Sequence, residues 1–404
     1  MNKISIGIFV AGALSFSIHT NAQVLTHEDS LAAGLVASEK ATLLSGYGEV
    51  ACTYDVRNNT ANADVARAVL FVGHKFSNKI ALFSELEIED GKVDAGGGEA
   101  AFEQLFLKFD LCRNAYISAG LFVPRLGITN ENHLPTTFNG VDRTYVETWI
   151  IPATWREIGV ALYGKCDRLS GLNYSFGLVN GLSSANFEYG TGIREGRWEG
   201  RNATASNIAV TGSALYYFNK FRAQISAYYG GSAGVSRTEA DSLHLSNGAF
   251  GTPVALTEAD LQYNNNGFSF RTLATVVNIK DAAKINAAYG NNTPEMMFGA
   301  YAEAGYNILR FWNSETNKDL TLFGRYEYLD MNYRVPENGM MNNALAQSYV
   351  VTGITFLPLH GVVVKADYMI RTTGKPNPNL PPVSPSVPFY ASNGFFQLGI
   401  GYSF

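Results

Sequence analysis

Residues 392–404, SNGFFQLGIGYSF, place Phe396, Leu398, Ile400, Tyr402 and Phe404 on one side of an extended chain and Gln397, Gly399, Gly401 and Ser403 on the other. Side chains of a strand alternate between two faces with a period of two, so one face of this segment is greasy and the opposite one small or polar. Working back along the chain, the rule repeats in 361–371, where Val362, Val364, Ala366, Tyr368 and Ile370 oppose Lys365, Asp367 and Arg371. It holds in 319–329, with Leu320, Leu322, Gly324, Tyr326 and Tyr328 against Arg325 and Glu327. It holds again in 267–276, with Phe268, Phe270 and Val276 against Ser269 and Arg271, and in 220–229, with Phe221, Ala223, Ile225, Ala227 and Tyr229 against Arg222, Gln224 and Ser226.

A soluble β-sandwich alternates in the same way, so the connections must decide between the two. About sixteen such segments can be traced, near 44–56, 65–76, 79–89, 101–111, 114–124, 157–166, 171–180, 207–218, 220–230, 254–263, 267–278, 297–309, 319–330, 346–357, 361–371 and 394–404. Tight connections at 77–78, 112–113, 167–170, 219, 264–266 and 358–360, with 310–318 as a longer member, alternate with long ones at 90–100, 125–156, 181–206, 231–253, 279–296, 331–345 and 372–393. Short turns on one rim, long loops on the other and an even strand count are the pattern of a bacterial outer-membrane barrel. The expected fold is therefore all-β: a transmembrane antiparallel up-and-down β-barrel of about 16 strands over 44–404, with both termini on the periplasmic side. Closure has a physical cause, because each unpaired backbone N–H or C=O in hydrocarbon costs several kcal/mol and a closed sheet leaves no edge. Aromatic residues at strand ends, among them Tyr216, Phe218, Phe221, Tyr306, Phe311, Trp312, Tyr402 and Phe404, fit an interfacial girdle.

Composition agrees with this reading. The chain is 46% hydrophobic and only 16% charged, against about 25% charged in ordinary globular chains. Disorder is excluded, and a net charge of −5 leaves no basic field for a nucleic-acid partner. Met1–Ala22 reads as a signal peptide, with Lys3 at its start, an apolar run over 4–18 and small residues at Thr20-Asn21-Ala22. Residues 23–43 read as a periplasmic tail or short helix, Thr26 and Asp29 having capping-box spacing. Three cysteines, Cys52, Cys112 and Cys166, are an odd number in an exported chain and do not make a disulfide scaffold.

The run Gly120–Gly164, GLFVPRLGITNENHLPTTFNGVDRTYVETWIIPATWREIGVALYG, together with Phe323–Asp330, FGRYEYLD, and Ser45–Val50, SGYGEV, resembles Gram-negative outer-membrane porins of the phosphate-selective porin O and P type, in their Bacteroidetes form. The resemblance implies a sixteen-stranded, trimeric diffusion channel embedded in outer-membrane lipid. Phosphate-selective members of that family line the pore with an arginine ladder and a lysine cluster. Here the inward charges are mixed: Arg67, Lys108, Lys165, Arg222, Arg271, Arg325, Lys365 and Arg371 stand among Glu49, Asp55, Glu85, Glu87, Glu89, Asp110, Glu258, Asp260, Glu303, Glu327 and Asp367.

Loop 125–156 is the candidate constriction. It carries Arg125, Glu131, His133, Asp142, Arg143 and Glu147 among Phe138, Tyr145 and Trp149, and a loop that folds into a barrel narrows the bore and sets its charge preference. The alternative is an outward loop packed on a neighbouring subunit. Small hydrophilic solutes or ions are the expected cargo, passing without cofactor, metal or catalytic chemistry. The acidic run Glu87, Glu89, Asp90 and Asp94 lacks EF-hand spacing, and no His sits in a nucleophile motif such as G-x-S-x-G. A structural or adhesive barrel with a closed lumen is the rival class, and an outer-membrane hydrolase a more distant one.

Overall fold

The computed structural model describes residues 41–95, 97–312, 317–382 and 390–404; the expected signal peptide and most of the expected tail, and part of the Pro-rich loop before the last strand, lie outside the described residues. Sixteen strands follow one another: β1 (Thr42–Asp55), β2 (Thr60–Ser77), β3 (Ile80–Glu89), β4 (Ala100–Cys112), β5 (Ala115–Phe122), β6 (Glu157–Lys165), β7 (Leu172–Asn180) and β8 (Ile208–Phe218), then β9 (Phe221–Gly231), β10 (Pro253–Asn265), β11 (Phe268–Ile279), β12 (Met296–Asn307), β13 (Asp319–Arg334), β14 (Ala346–Leu359), β15 (Val362–Thr373) and β16 (Ser392–Ser403). Each pairs antiparallel with its chain neighbours, and β1 pairs with β16, so the sheet is a closed up-and-down barrel. Among the described residues three short α-helices sit in the connections, α1 (Tyr145–Trp149), α2 (Arg237–Ser242) and α3 (Ala282–Tyr289), beside single turns of 3-10 helix. Among the described residues no helix is long and apolar enough to cross a membrane.

The faces are sorted inside out relative to a water-soluble protein. On β16, Phe396, Leu398 and Ile400 are 56–60% exposed on the barrel's exterior while Gln397 is 4% exposed within. Leu322 and Tyr326 of β13, and Val364 and Ile370 of β15, are likewise exposed while Arg325, Glu327, Lys365 and Asp367 are buried. An apolar belt this extensive is far beyond the few hundred Å² that a soluble monomer exposes, and it calls for a lipid surround. Aromatics mark the strand ends, where Phe311, Trp312 and Phe404 are the most exposed of the set.

Two features depart from the sequence reading. The barrel begins at Thr42 rather than 44, and β2 begins at Thr60 rather than 65, so β1 and β2 are joined by residues 56–59 alone. The long-loop rim thus has one tight hairpin. The polar run Thr60–Asp64 lacks apolar alternation because both its faces are exposed, and it is strand only through pairing with Ala51–Asp55. The second departure is a β-bulge in β4: Glu85 pairs with Gln104 and Leu86 with Phe102, which leaves Glu103 between them. A bulge adds one residue to one strand and lets two consecutive side chains take the same face. Glu103 and Gln104 are both buried in the lumen, while Phe102 and Leu105 flank them on the exterior. The three cysteines make no disulfide.

Candidate functional site

The connection between β5 and β6, residues 123–156, is the longest in the barrel and nearly all of it is buried. Its conformation is held from within by Glu147, the third residue of α1. Instead of capping its own helix, the Glu147 carboxylate accepts hydrogen bonds from the backbone N–H groups of Ile128 and Thr129 at 2.7 Å each, from the Thr144 hydroxyl at 3.0 Å and from the Tyr301 hydroxyl on β12 at 2.9 Å. One buried carboxylate thereby ties the start of the loop, the helix and the wall together.

The loop then bonds to inward-facing groups across the barrel. Asp367 of β15 accepts from the Val141 N–H at 2.7 Å, and Glu327 of β13 from the Val146 N–H at 3.0 Å. Asn139 donates to Glu303 of β12 at 2.9 Å, and Arg325 donates to the Asn139 carbonyl at 3.2 Å. Gln397 of β16 donates to Asp142 at 2.7 Å. On the other side, Glu131 pairs with Arg125 of its own loop and, at 3.0 Å, with Arg222 of β9, which also reaches Asp260 of β10 at 3.0 Å.

Apolar packing supplies the rest. Val146, Ile150 and Ile151 are fully buried against a wall that includes Leu273, Met297 and Leu329. The lumen is therefore not polar throughout: beneath α1 it carries a hydrophobic patch, and burying such side chains is worth about 1.5–3 kcal/mol each. Gly299 belongs to that patch for a steric reason, since a Cβ there would stand 2.8 Å from Val146 Cγ1. Tyr145 stacks on Tyr349 with ring centroids 4.2 Å apart, and the Lys365 ammonium lies 3.4 Å from the centre of the Phe138 ring.

Of the residues singled out from sequence, Arg125, Glu131 and His133 are buried with the loop, and Asp142 and Arg143 are half-buried beside a cavity. Glu85, Glu87, Arg222, Arg325, Glu327, Lys365, Asp367 and Arg371 are buried on the inner wall, and Arg67, Lys108 and Arg271 are partly so. Many are paired: Arg67 with Glu49 at 2.9 Å, Arg271 with Glu303 at 2.8 Å, Arg325 with Glu303 at 3.2 Å and with Glu327 at 2.8 Å, and Lys108 with Asp110 at 2.5 Å. Arg371 lies 5.3 Å over the Phe395 ring.

A cavity of about 400 Å³ opens on the long-loop side, lined by Arg67, Arg143, Arg156, Arg194 and Arg197 with Glu49, Glu89, Glu99, Glu195 and Glu199 interleaved. A smaller one of about 190 Å³ lies toward the short turns, beside Lys108, Arg125 and Tyr163. Burial, with the neighbouring Arg67 charge, holds the Arg143 guanidinium below its ordinary pKa, and burial brings Arg197 down to about 10. Arg156, Arg194 and Arg197 had no signal in the sequence, because long connections without periodicity bring them to the cavity. Glu103 was missed because the bulge broke the period-two count.

No protein-family model matches the chain. An uncharacterized protein of Aquifex aeolicus (strain VF5) is 29% identical over 346 residues, 82% of this chain and 76% of that one. Among solved structures, the Salmonella typhi OmpF in complex with daunomycin superposes with a TM-score of 0.57 at 12% identity, over 90% of this chain and 97% of that one. The anion-selective porin from Comamonas acidovorans gives 0.54 at 12%, over 90% and 99%, and the outer membrane channel DcaP of Acinetobacter baumannii 0.54 at 13%, over 90% and 97%. At such identities the likeness is one of fold: a sixteen-stranded barrel of the outer-membrane porin kind.

Proposed function

We propose that the chain is an outer-membrane porin, a passive diffusion channel for small hydrophilic solutes or ions that assembles as a homotrimer. The observation that carries this reading is the inside-out barrel with a charged lumen crossed by residues 123–156. An apolar exterior needs lipid, and buried charges in such number need either partners or water within. Arg125, Glu131, His133, Asp142 and Arg143 form the constriction in this reading, and Arg67, Glu85, Glu87, Lys108, Arg222, Arg271, Arg325, Glu327, Lys365, Asp367 and Arg371 line the path or brace the loop. Arg143 is the main determinant of charge preference: it borders the cavity of about 400 Å³, and it donates to a carbonyl, that of His133 at 3.0 Å, rather than to a carboxylate. With carboxylates interleaved among the other guanidinium groups, the finer kinship to phosphate-selective porins enters as channel architecture, without phosphate preference.

The density of bonds between the loop and β9–β16 favours a second reading, a structural barrel with a closed lumen. Conductance of the refolded, purified chain in a planar bilayer decides between them. Discrete steps support the channel, and a barrel that inserts without conducting supports the closed form.

A further inference from the structure

We propose that Glu85, Glu103 and His133 bind one divalent first-row transition ion, which clips the loop 123–156 to the wall at β3 and β4. The three side chains each offer a ligand atom within 4.8 Å of the others, and they are 1%, 0% and 2% exposed. Metal–ligand bonds of about 2.1 Å place ligand atoms about 3–4 Å from one another, so the site closes on an ion by rotamer-scale movement.

Three observations point to a ligand beyond the cluster itself. First, each donor is oriented from behind, as the ligands of a metal site are. The Nδ1 of His133 lies 3.2 Å from the Asn130 carbonyl oxygen. A carbonyl only accepts, so Nδ1 carries a proton, and in the neutral ring Nε2 carries the lone pair. Nε2 stands 3.7 Å from a Glu103 oxygen. The Tyr47 hydroxyl donates to Glu103 Oε2 at 2.8 Å, and the Gln104 amide donates to Glu85 Oε2 at 3.0 Å. Second, Glu103 is fully buried and, although Thr154 also stands within hydrogen-bonding reach of its carboxylate, Oε1 accepts no hydrogen bond of good geometry, which is costly for a carboxylate oxygen and is relieved by a cation. Third, Glu103 faces the lumen only because of the bulge in β4, a device that re-aims one side chain.

Two of the three nearby guanidinium groups are committed elsewhere, and the third, Arg143, whose charge also acts on Glu103, donates to the His133 carbonyl at 3.0 Å. Arg67 pairs with Glu49 and, at 3.5 Å, with Glu87; Arg156 pairs with Glu99 and Glu199 at 3.1 Å each. Two carboxylates and one imidazole suit Zn²⁺ or Mn²⁺ better than Mg²⁺ or Ca²⁺, which favour all-oxygen sites.

The test uses the full chain refolded in detergent without an affinity tag, stripped with chelator and equilibrated with Zn²⁺ alone. The expected result is one Zn²⁺ per chain by elemental analysis, unchanged by excess Mg²⁺, with a rise in the thermal unfolding midpoint. His133→Ala and Glu103→Gln should each weaken Zn²⁺ binding at least tenfold and abolish the rise, while His244→Ala leaves both intact. If Glu103→Gln does not refold, His133→Ala and His133→Asn decide, since their residue lies in a connection rather than a strand. Less than a fifth of an equivalent bound, displacement by Mg²⁺, or a His133→Ala protein that binds as the parent does overturns the site. Each of these readouts is independent of conductance.

Discussion

Replacing Glu147 with alanine should release the loop from the barrel's interior. The carboxylate accepts four hydrogen bonds, two of them from the N–H groups of Ile128 and Thr129. Hydroxyls such as Thr144 and Tyr301 can rotate toward other acceptors, but those two amides are fixed by the backbone. Leaving a buried donor unsatisfied costs about 1–3 kcal/mol, so the two amides alone amount to about 2–6 kcal/mol. At about 1.4 kcal/mol per decade, a central value of about 4 kcal/mol shifts the inward arrangement about a thousandfold. Glu147→Gln keeps one carbonyl oxygen for the amides and should cost about 1 kcal/mol. Two assays read the difference: single-channel recording, where the alanine variant should show larger and noisier steps, and limited proteolysis of the refolded barrel, where it should be cut within 123–156. If Glu147→Ala resists protease and conducts as the parent does, the carboxylate is not what holds the loop.

Other outcomes follow from the same geometry. Arg143→Glu reverses a charge lining the cavity of about 400 Å³ and should move the reversal potential in a salt gradient toward cations; an unchanged potential removes Arg143 from the selective path. Deleting residues 130–146 takes away the loop's crossing segment and should raise conductance per channel, and a variant that inserts normally with parental conductance would locate the constriction elsewhere. In a background with all three cysteines changed to serine, Lys92→Cys on the long-loop rim should react with an impermeant thiol reagent on intact cells, and Lys220→Cys at a short turn should not; the opposite pattern inverts the topology. Removing Phe404, whose N–H donates to the Gly46 carbonyl at 2.9 Å and whose carbonyl accepts from the Gly46 N–H at 3.2 Å, should reduce the yield of folded barrel, measured by heat-modifiable mobility.

The barrel was legible because its belt must be apolar on one face of every strand, and a constraint applied sixteen times over leaves a periodic trace. The strand Ser392–Ser403 falls within two residues of its expected start and one of its expected end. Where the lipid constraint lapses, so did the reading: Thr60–Asp64 projects beyond the belt and carries no alternation. Inside the lumen no single rule governs side-chain type, since a wall position facing water, a loop carbonyl or an isoleucine asks for different chemistry. Leu273 and Met297 accordingly look from sequence like any other strand residues, and only the packing of Val146 and Ile150 explains them. Glu147 was visible as a loop acid, but nothing in its neighbours announced that four donors would converge on it.

The seam between the first and last strands has a kinetic consequence. Ser45 hydrogen-bonds to Phe404 across a sequence separation of 359 residues, whereas every other strand pair joins chain neighbours. Fifteen pairings are local in sequence; the sixteenth brings β1 against β16, and with the largest sequence separation it carries the largest loop-closure entropy of the set. Until then both β1 and β16 present bare edges, which recruit any other strand they encounter. Pairing of β16 with β1 therefore completes the barrel: without it both strands keep an open edge, and with it both edges are hidden in a single event.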